Sequence, residues 1–207
     1  MGDKLPKIYL ARHGETAWNL TGQHMGRIDM QLTEQGEGNA RRLGKRLRGL
    51  TFAKVFTSLL QRASRTCELA GFKAAAVVDP DLTEWDYGAY EGKTTDEILK
   101  ERPGWQMFRD GYPGGESAEQ VRRPGGRVLS RVRAIEGNVL LFSHGHFLRV
   151  LAARWLGLEP EAGRFFVLGP ASLSAVGYED NRSQPVIQLW DDTCHLGTFV
   201  RSQPDPH

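Results

Sequence analysis

Apolar and polar positions alternate along this chain with two different periods. Short apolar runs of strand length predict six β-strands, and apolar residues at helical spacing predict three helices. The predicted strands are 7–11, 53–57, 74–78, 138–142, 173–178 and 186–190, the last at a sheet edge. The predicted helices are 33–50, 60–69 and 146–156. This order is typical of a mostly parallel sheet with helices on both faces, so the sequence predicts an α/β fold, a three-layer α/β/α sandwich, as one domain over 1–207.

The helix predicted over 33–50 has a start signal and an apolar stripe. Thr33 opens a capping pattern, and Leu43, Leu47 and Leu50 recur at spacings of four and three. The opposite face is basic. We interpret that face as a solvated helix surface rather than an anion-binding surface.

Two stretches depart from the alternation of strands and helices. Residues 91–115 are rich in glycine, proline and aromatic residues, which predicts an irregular insertion over the strand tips, a lid or specificity region. Residues 122–126 read Arg-Arg-Pro-Gly-Gly. Because a proline inside a helix costs about 3 kcal/mol and glycines add to this, we expect the helix there to be interrupted or to begin near Arg127.

Composition and charge narrow the classes of protein. Of the 207 residues, 40% are hydrophobic and 25% are charged, as in soluble globular proteins. The net charge of +2 is small, and the basic residues are spread along the chain rather than clustered. We therefore expect no nucleic-acid or membrane partner. The two cysteines, Cys67 and Cys194, have no metal-binding spacing and predict reduced thiols. The first residues lack an apolar signal segment, so we expect a cytoplasmic protein.

Polar and charged side chains follow the ends of the predicted strands. Arg12 and His13 end the first strand, Arg62 heads the helix after the second, Glu84 follows the third, and His144 follows the fourth. The carboxyl ends of parallel strands meet at one edge of the sheet, where open α/β sheets bind their ligands. Arginine suits phosphate because it stays charged and donates two parallel hydrogen bonds. The sequence therefore predicts an anion site with a nucleophilic imidazole.

Five motifs carry a resemblance to a known family. In chain order they are LARHGETAWN (10–19), TSLLQRASRT (57–66), LTEWDYGAYEG (82–92), PGGES (113–117) and LLFSHGHFLRVLAARWLG (140–157). With these motifs the chain resembles the histidine phosphatase superfamily, which includes cofactor-dependent phosphoglycerate mutases and fructose-2,6-bisphosphatases. The third motif is similar to that of broad-specificity acid phosphatases and sedoheptulose-1,7-bisphosphatase-like members. The resemblance implies a phosphoglycerate mutase-like fold.

The resemblance also implies roles for individual residues. His13 would attack phosphorus and become a phosphohistidine, while Arg12, Arg62 and His144 would hold the phosphoryl oxygens. Glu84 would protonate the leaving oxygen and then activate water. Further substrate contacts implied by the motifs are Asn19, Gln23, His24, Gly26, Tyr87, Glu116 and Gly145. Tyr87 is open to a second interpretation, core packing, and His146 is expected to pack against the site or donate or accept a hydrogen bond. No metal or other cofactor is implied, because two guanidinium groups supply positive charge.

The function predicted in this way is a metal-independent phosphomonoesterase. Its substrate would be a small phosphorylated metabolite, with a sugar phosphate favoured, and inorganic phosphate would be a product. The alternative is a cofactor-dependent phosphoglycerate mutase. We disfavour it because the interval between Glu84 and 113–117 is short and carries few basic residues: Lys93, Lys100, Arg102 and Arg109. A second alternative is a non-catalytic module that binds phosphorylated ligands. The oligomeric state, monomer or dimer, is left open.

Overall fold

A six-stranded sheet forms the centre of the protein. The computed structural model describes residues 5–197. The strands are β1 (Ile8–Arg12), β2 (Lys54–Thr57), β3 (Ala76–Val78), β4 (Val139–Ser143), β5 (Leu173–Tyr178) and β6 (Pro185–Asp192). Their order is β3-β2-β4-β1-β5-β6, with β1 to β4 parallel and β5 and β6 antiparallel to their neighbours. All six predicted strands are confirmed, and β6 lies at an edge as expected.

Helices cover both faces of this sheet. They are α1 (Ala17–Thr21), α2 (Glu34–Arg46), α3 (Gln61–Leu69), α4 (Thr95–Glu101), α5 (Met107–Asp110), α6 (Ala118–Arg133) and α7 (Gly145–Trp155). Short 3-10 helices lie at Pro80–Leu82, Gly88–Tyr90, Pro160–Phe165 and Cys194–Leu196. The three predicted helices correspond to α2, α3 and α7. Within residues 5–197, no helix has both the length and the apolar character that a membrane crossing needs.

The period of two along the strands separates the core into two layers. In β1, Leu10 packs in the apolar cluster that contains residues of α6 and α7, whereas Ala11 packs in the cluster that contains Leu43 and Leu47 near α2. Neighbouring residues of β4 divide between the two clusters in the same way. Because successive strand residues face opposite sides of the sheet, this division confirms the three-layer α/β/α sandwich.

The segment 91–115 is more regular than the sequence suggests. It contains α4 and α5, so the expectation that this segment is irregular is wrong, while its role as an insertion that forms a lid stays a prediction. Thr94 and Glu97 form a capping box at the start of α4, with the Thr94 side chain accepting from the Glu97 N–H and the Glu97 carboxylate accepting from the Thr94 N–H. A capping box satisfies two backbone N–H groups that the first helical turn leaves unbonded, which stabilises a helix this short.

The expected break in the helix at 122–126 is also wrong. Helix α6 runs through Pro124 without interruption. Proline lacks the N–H that would bond to the carbonyl four residues earlier, but it removes only that one hydrogen bond. One face of α6 is buried, including Val121, Val128 and Val132. Burial of such side chains contributes about 2 kcal/mol each, which together exceeds the cost of the proline.

Replacing Pro124 with alanine should raise the free energy of unfolding by about 1–2 kcal/mol. Alanine restores the missing N–H and has the highest helix propensity, although the unfolded chain also gains some freedom. Urea unfolding at unchanged m value would measure the difference. The matched control is Pro80→Ala, because Pro80 is exposed and occupies a first helical position, where no N–H bond is lost. A less stable Pro124→Ala protein would contradict this account of α6.

Candidate active site

A cavity of about 680 Å³ opens near the carboxyl ends of the central strands. Predicted site residues that line it are Arg12, His13, Asn19, Gln23, His24, Glu84 and Tyr87. Arg62 and His144 are fully buried beside this group. The structure therefore brings together the two arginines, two histidines and one glutamate that the sequence places at separate strand ends.

The strand register explains why two histidines meet. Arg12 of β1 pairs with Ser143 of β4 in parallel, so the next residues, His13 and His144, leave the sheet side by side. Their ring centroids are 5.4 Å apart. The His13 N–H bonds to the Ser143 carbonyl at 3.0 Å, which continues the strand pairing by one residue.

The His13 ring is held with one nitrogen available for chemistry. Nδ1 lies 2.7 Å from the carbonyl oxygen of Gly14, an acceptor, so Nδ1 carries the hydrogen and Nε2 carries the lone pair. Burial, followed by the charges of Arg62 and Arg12, lowers the pKa of His13 well below its usual value. The imidazole is therefore neutral near pH 7, and a neutral imidazole can act as a nucleophile.

Arg62 fixes the orientation of His144. Its Nε donates to His144 Nδ1 at 3.1 Å, and Nη1 and Nη2 donate to the carbonyl oxygens of Ile28 (2.9 Å) and Gly26 (2.7 Å). Because His144 Nδ1 accepts, its hydrogen lies on Nε2, which donates to Ser58 Oγ at 2.7 Å. Burial and then the Arg62 charge lower the pKa of His144 well below its usual value. Sequence reasoning missed Ser58, although it follows β2 directly.

Arg12 lies against the first turn of α7. Its guanidinium donates to the Leu168 carbonyl oxygen. A Cβ at Gly145 would lie 3.1 Å from Arg12 Cζ, so glycine at this position leaves room for the guanidinium. Gly145 thus contacts Arg12 in this structure, and its predicted contact with substrate stays a prediction.

Glu84 is a buried carboxyl group at the start of α7. Its oxygens accept hydrogen bonds from the backbone N–H groups of Phe147 (2.8 Å), His146 (3.1 Å) and Trp85 (3.2 Å). Burial raises the pKa of Glu84, and the backbone hydrogen bonds and the Arg62 charge oppose that shift without cancelling it. A carboxyl group with a raised pKa keeps its proton to higher pH, as a general acid requires.

Aromatic and histidine side chains form a hydrogen-bonded network beside Glu84. The Tyr87 hydroxyl bonds to His146 Nδ1. The Tyr112 hydroxyl lies 3.2 Å from His24 Nδ1, and His24 Nε2 lies 3.0 Å from Thr95 Oγ1. The Tyr87 and Tyr112 rings stack with centroids 4.4 Å apart. The expected role of His146 as a hydrogen-bond partner is confirmed, and Tyr87 both packs in the core and lines the cavity.

Two other predicted contacts bond to protein groups. The Gly26 carbonyl accepts from Arg62, as described above. The Glu116 carboxylate accepts from the Asp86 N–H at 2.8 Å and from Arg27 Nη2 at 3.3 Å. Glu116 therefore fixes the backbone that follows Glu84. The roles of Gly26 and Glu116 as substrate contacts stay predictions.

The cavity has walls that sequence reasoning did not identify. Trp105 and Phe108 come from the segment 91–115, which the composition had marked as a specificity region. Arg149 lies on α7, and Arg164, Phe165 and Val167 follow it along the chain. No motif marks 164–167, so no signal in the sequence could place this segment at the cavity. Among residues 5–197, no group of three or more His, Cys, Asp or Glu side chains is arranged to hold a metal ion.

Comparisons with known proteins identify a family and several relatives. A family model described as "Histidine phosphatase superfamily (branch 1)" matches residues 8–193. An acid phosphatase of Mycobacterium tuberculosis is 37% identical over 183 residues, which cover 86% of this chain and 90% of that protein. A sedoheptulose 1,7-bisphosphatase of Saccharomyces cerevisiae is 37% identical over 186 residues, covering 74% and 68%. The solved structure of an open reading frame product of M. tuberculosis superimposes with a TM-score of 0.85 at 33% identity, covering 91% of this chain and 98% of that one.

Proposed function

This chain belongs to the histidine phosphatase superfamily and is a phosphoric monoester hydrolase, and we propose that it hydrolyses a small phosphorylated metabolite through a phosphohistidine on His13. One arrangement carries the proposal. A neutral imidazole with its Nε2 lone pair available lies beside two arginines and lines the same cavity as a buried carboxyl group of raised pKa.

In the first step His13 Nε2 attacks the phosphorus atom. The bond between phosphorus and the ester oxygen breaks, and the proton of Glu84 passes to that oxygen, so the alcohol leaves in neutral form. In the second step water attacks the phosphorus, Glu84 takes a proton from it, and the N–P bond breaks. Inorganic phosphate is released and His13 is again neutral. One carboxyl group serves both steps because the second transfer reverses the first.

Positive charge around His13 stabilises the transferred phosphoryl group. Arg12 lines the cavity and can approach a phosphoryl oxygen directly, whereas the Arg62 donors bond to loop carbonyls and to His144. Arg62 therefore acts through its charge and through the orientation of His144. Preorganised charge in a buried site is the main source of catalysis in phosphoryl transfer, and here the guanidinium groups of Arg12 and Arg62 supply that positive charge.

Hydrolysis of p-nitrophenyl phosphate should continue at an unchanged rate in excess chelator. The expected products from 3-phosphoglycerate, with the bisphosphorylated primer present, are glycerate and free phosphate. Formation of 2-phosphoglycerate instead would favour the mutase. Binding of phosphate without turnover would favour the non-catalytic module. Loss of activity in chelator, with recovery on adding Mg²⁺, would contradict the metal-independent mechanism.

The site residues indicate a phosphate group more clearly than they indicate the alcohol to which the phosphate is attached. The sequence favours a sugar phosphate, and the relative named sedoheptulose 1,7-bisphosphatase supports that choice. The side chains lining the cavity support a less polar alcohol.

A further inference from the structure

Six apolar side chains form part of the cavity wall away from the reacting groups. They are Trp18, Trp105, Met107, Phe108, Phe165 and Val167. Phe165 is 70% exposed and Val167 is 48% exposed, so two large apolar side chains face solvent in a segment that lines the cavity. A cavity of about 680 Å³ lies in the range that holds whole small-molecule ligands, so the wall has room to contact more than the phosphoryl group.

Two polar side chains of the same cavity, Gln23 and His24, already bond to the protein. Gln23 Nε2 donates to the Gly92 carbonyl at 2.7 Å, and Gln23 Oε1 accepts from Thr21 Oγ1 at 2.6 Å. Both ring nitrogens of His24 have partners, Thr95 and Tyr112. A sugar hydroxyl placed beside Gln23 or His24 would give up its hydrogen bonds with water and meet groups that are already bonded, which is unfavourable.

Two arginines that line the cavity pack against aromatic rings of the same wall. Arg149 Nε donates to the Gly163 carbonyl at 3.0 Å, and Nη2 donates to the Arg164 carbonyl at 3.2 Å. The Arg149 Cζ lies 4.7 Å from the Phe108 ring centroid, and the Arg164 Cζ lies 4.6 Å from that of Phe165. Arg149 therefore ties α7 to the turn that carries Phe165, and both guanidinium planes lie over aromatic rings.

We propose that the alcohol part of the substrate is an apolar or aromatic group, which packs against Phe165, Phe108 and Trp105, rather than a sugar. This inference rests on the proposed function, since it concerns the ester that His13 would cleave. It replaces the sugar phosphate that the sequence favours. Its physical basis is that burial of an apolar group against these rings removes apolar surface from water, whereas sugar hydroxyls beside Gln23 and His24 meet groups that already have hydrogen-bond partners.

The test compares two esters of primary alcohols, 2-phenylethyl phosphate and glucose 6-phosphate, so that the leaving oxygens are chemically similar. We expect kcat/KM to be at least about tenfold higher for the phenylethyl ester. Replacing Phe165 with alanine should lower the ratio of the two kcat/KM values by about fivefold. The matched control is Leu158→Ala, since Leu158 is also an exposed large apolar side chain but does not line the cavity, and it should leave the ratio unchanged.

Binding to the His13→Ala protein separates this inference from the proposed function. Calorimetric titration with the same two esters measures affinity without turnover, and tighter binding of the phenylethyl ester supports the inference even if the enzyme hydrolyses neither. Tighter binding or faster hydrolysis of glucose 6-phosphate, or of fructose 1,6-bisphosphate, would overturn it. An equal effect of Phe165→Ala on both esters would also overturn it, because that result shows a structural role alone.

Discussion

Replacing His13 with alanine is expected to lower kcat/KM toward p-nitrophenyl phosphate by about 10⁴-fold or more, equivalent to about 5.5 kcal/mol. The substitution removes the Nε2 lone pair that would attack phosphorus, while Arg12 and Glu84 remain. Water would have to attack the ester directly, without the covalent intermediate that divides the reaction into two easier steps. Because the imidazole is buried and neutral, its loss leaves no unpaired charge, so the protein should still fold.

Rapid quench with ³²P-labelled substrate measures the intermediate directly. The parent protein should yield an acid-labile, base-stable label, as expected of a phosphohistidine, and His13→Ala should yield none. The matched control is His195→Gln. His195 lies outside the cavity, its Nε2 bonds to the Ala171 carbonyl at 2.9 Å, and a glutamine amide can donate the same bond. A label that persists in His13→Ala but disappears in another variant would assign the nucleophile elsewhere.

The sheet and its main helices were predictable because their signals are local. An apolar run of strand length predicts a strand. Helix α2 is capped by Thr33, whose side chain accepts from the Gly36 N–H at 2.9 Å as the capping pattern predicts. The break expected at Pro124 was wrong because the local cost of the proline was considered without the burial of the α6 face that includes Val121, Val128 and Val132. That burial depends on what α6 packs against, which no single segment reveals.

Only those residues of the candidate site that follow the ends of strands could be placed from the sequence. Parallel strands deliver their last residues to one edge, so Arg12, His13 and His144 could be placed together before the register was known. Arg62 donates to Nδ1 of His144, so the hydrogen of that ring lies on Nε2, which donates to Ser58. Tertiary contacts of this kind are not encoded in spacing along the chain.

Tertiary contacts that the sequence does not reveal also determine which side chains line the cavity. Phe165 reaches the cavity because Arg149 binds the carbonyl oxygens of the two residues before it, Gly163 and Arg164. Those bonds join residues 14 and 15 positions apart through a side chain and the backbone, so neither hydrophobic period nor motif signals them. The convergence of the residues around His13 could therefore be predicted from sequence, whereas the place of 164–167 in the cavity wall could not.

Replacing Glu84 with glutamine should lower kcat/KM toward an alkyl phosphate by about 10²–10⁴-fold, because the alcohol oxygen then leaves without a proton. The effect on p-nitrophenyl phosphate should be smaller, since p-nitrophenolate is stable without protonation. With the carboxylate base also lost, water attack on the phosphohistidine becomes slow. Stopped-flow absorbance should therefore show a burst of p-nitrophenolate in the variant, followed by a slow steady rate.

The pH profile gives a second readout of the same carboxyl group. In the proposed mechanism, phosphorylation of His13 uses the protonated form of Glu84. Because burial raises the pKa of Glu84, activity toward alkyl phosphates should persist above the usual pKa of a glutamate and fall as pH rises through the raised value. Glu84→Gln should lack that alkaline decline. The matched control is Asp86→Asn, whose amide oxygen can still accept from the Gly88 N–H and which does not line the cavity. If Asp86→Asn lost the alkaline decline and Glu84→Gln kept it, the proton donor would be Asp86. The hydrogen bonds from Trp85, His146 and Phe147 to Glu84 would then serve only to anchor α7.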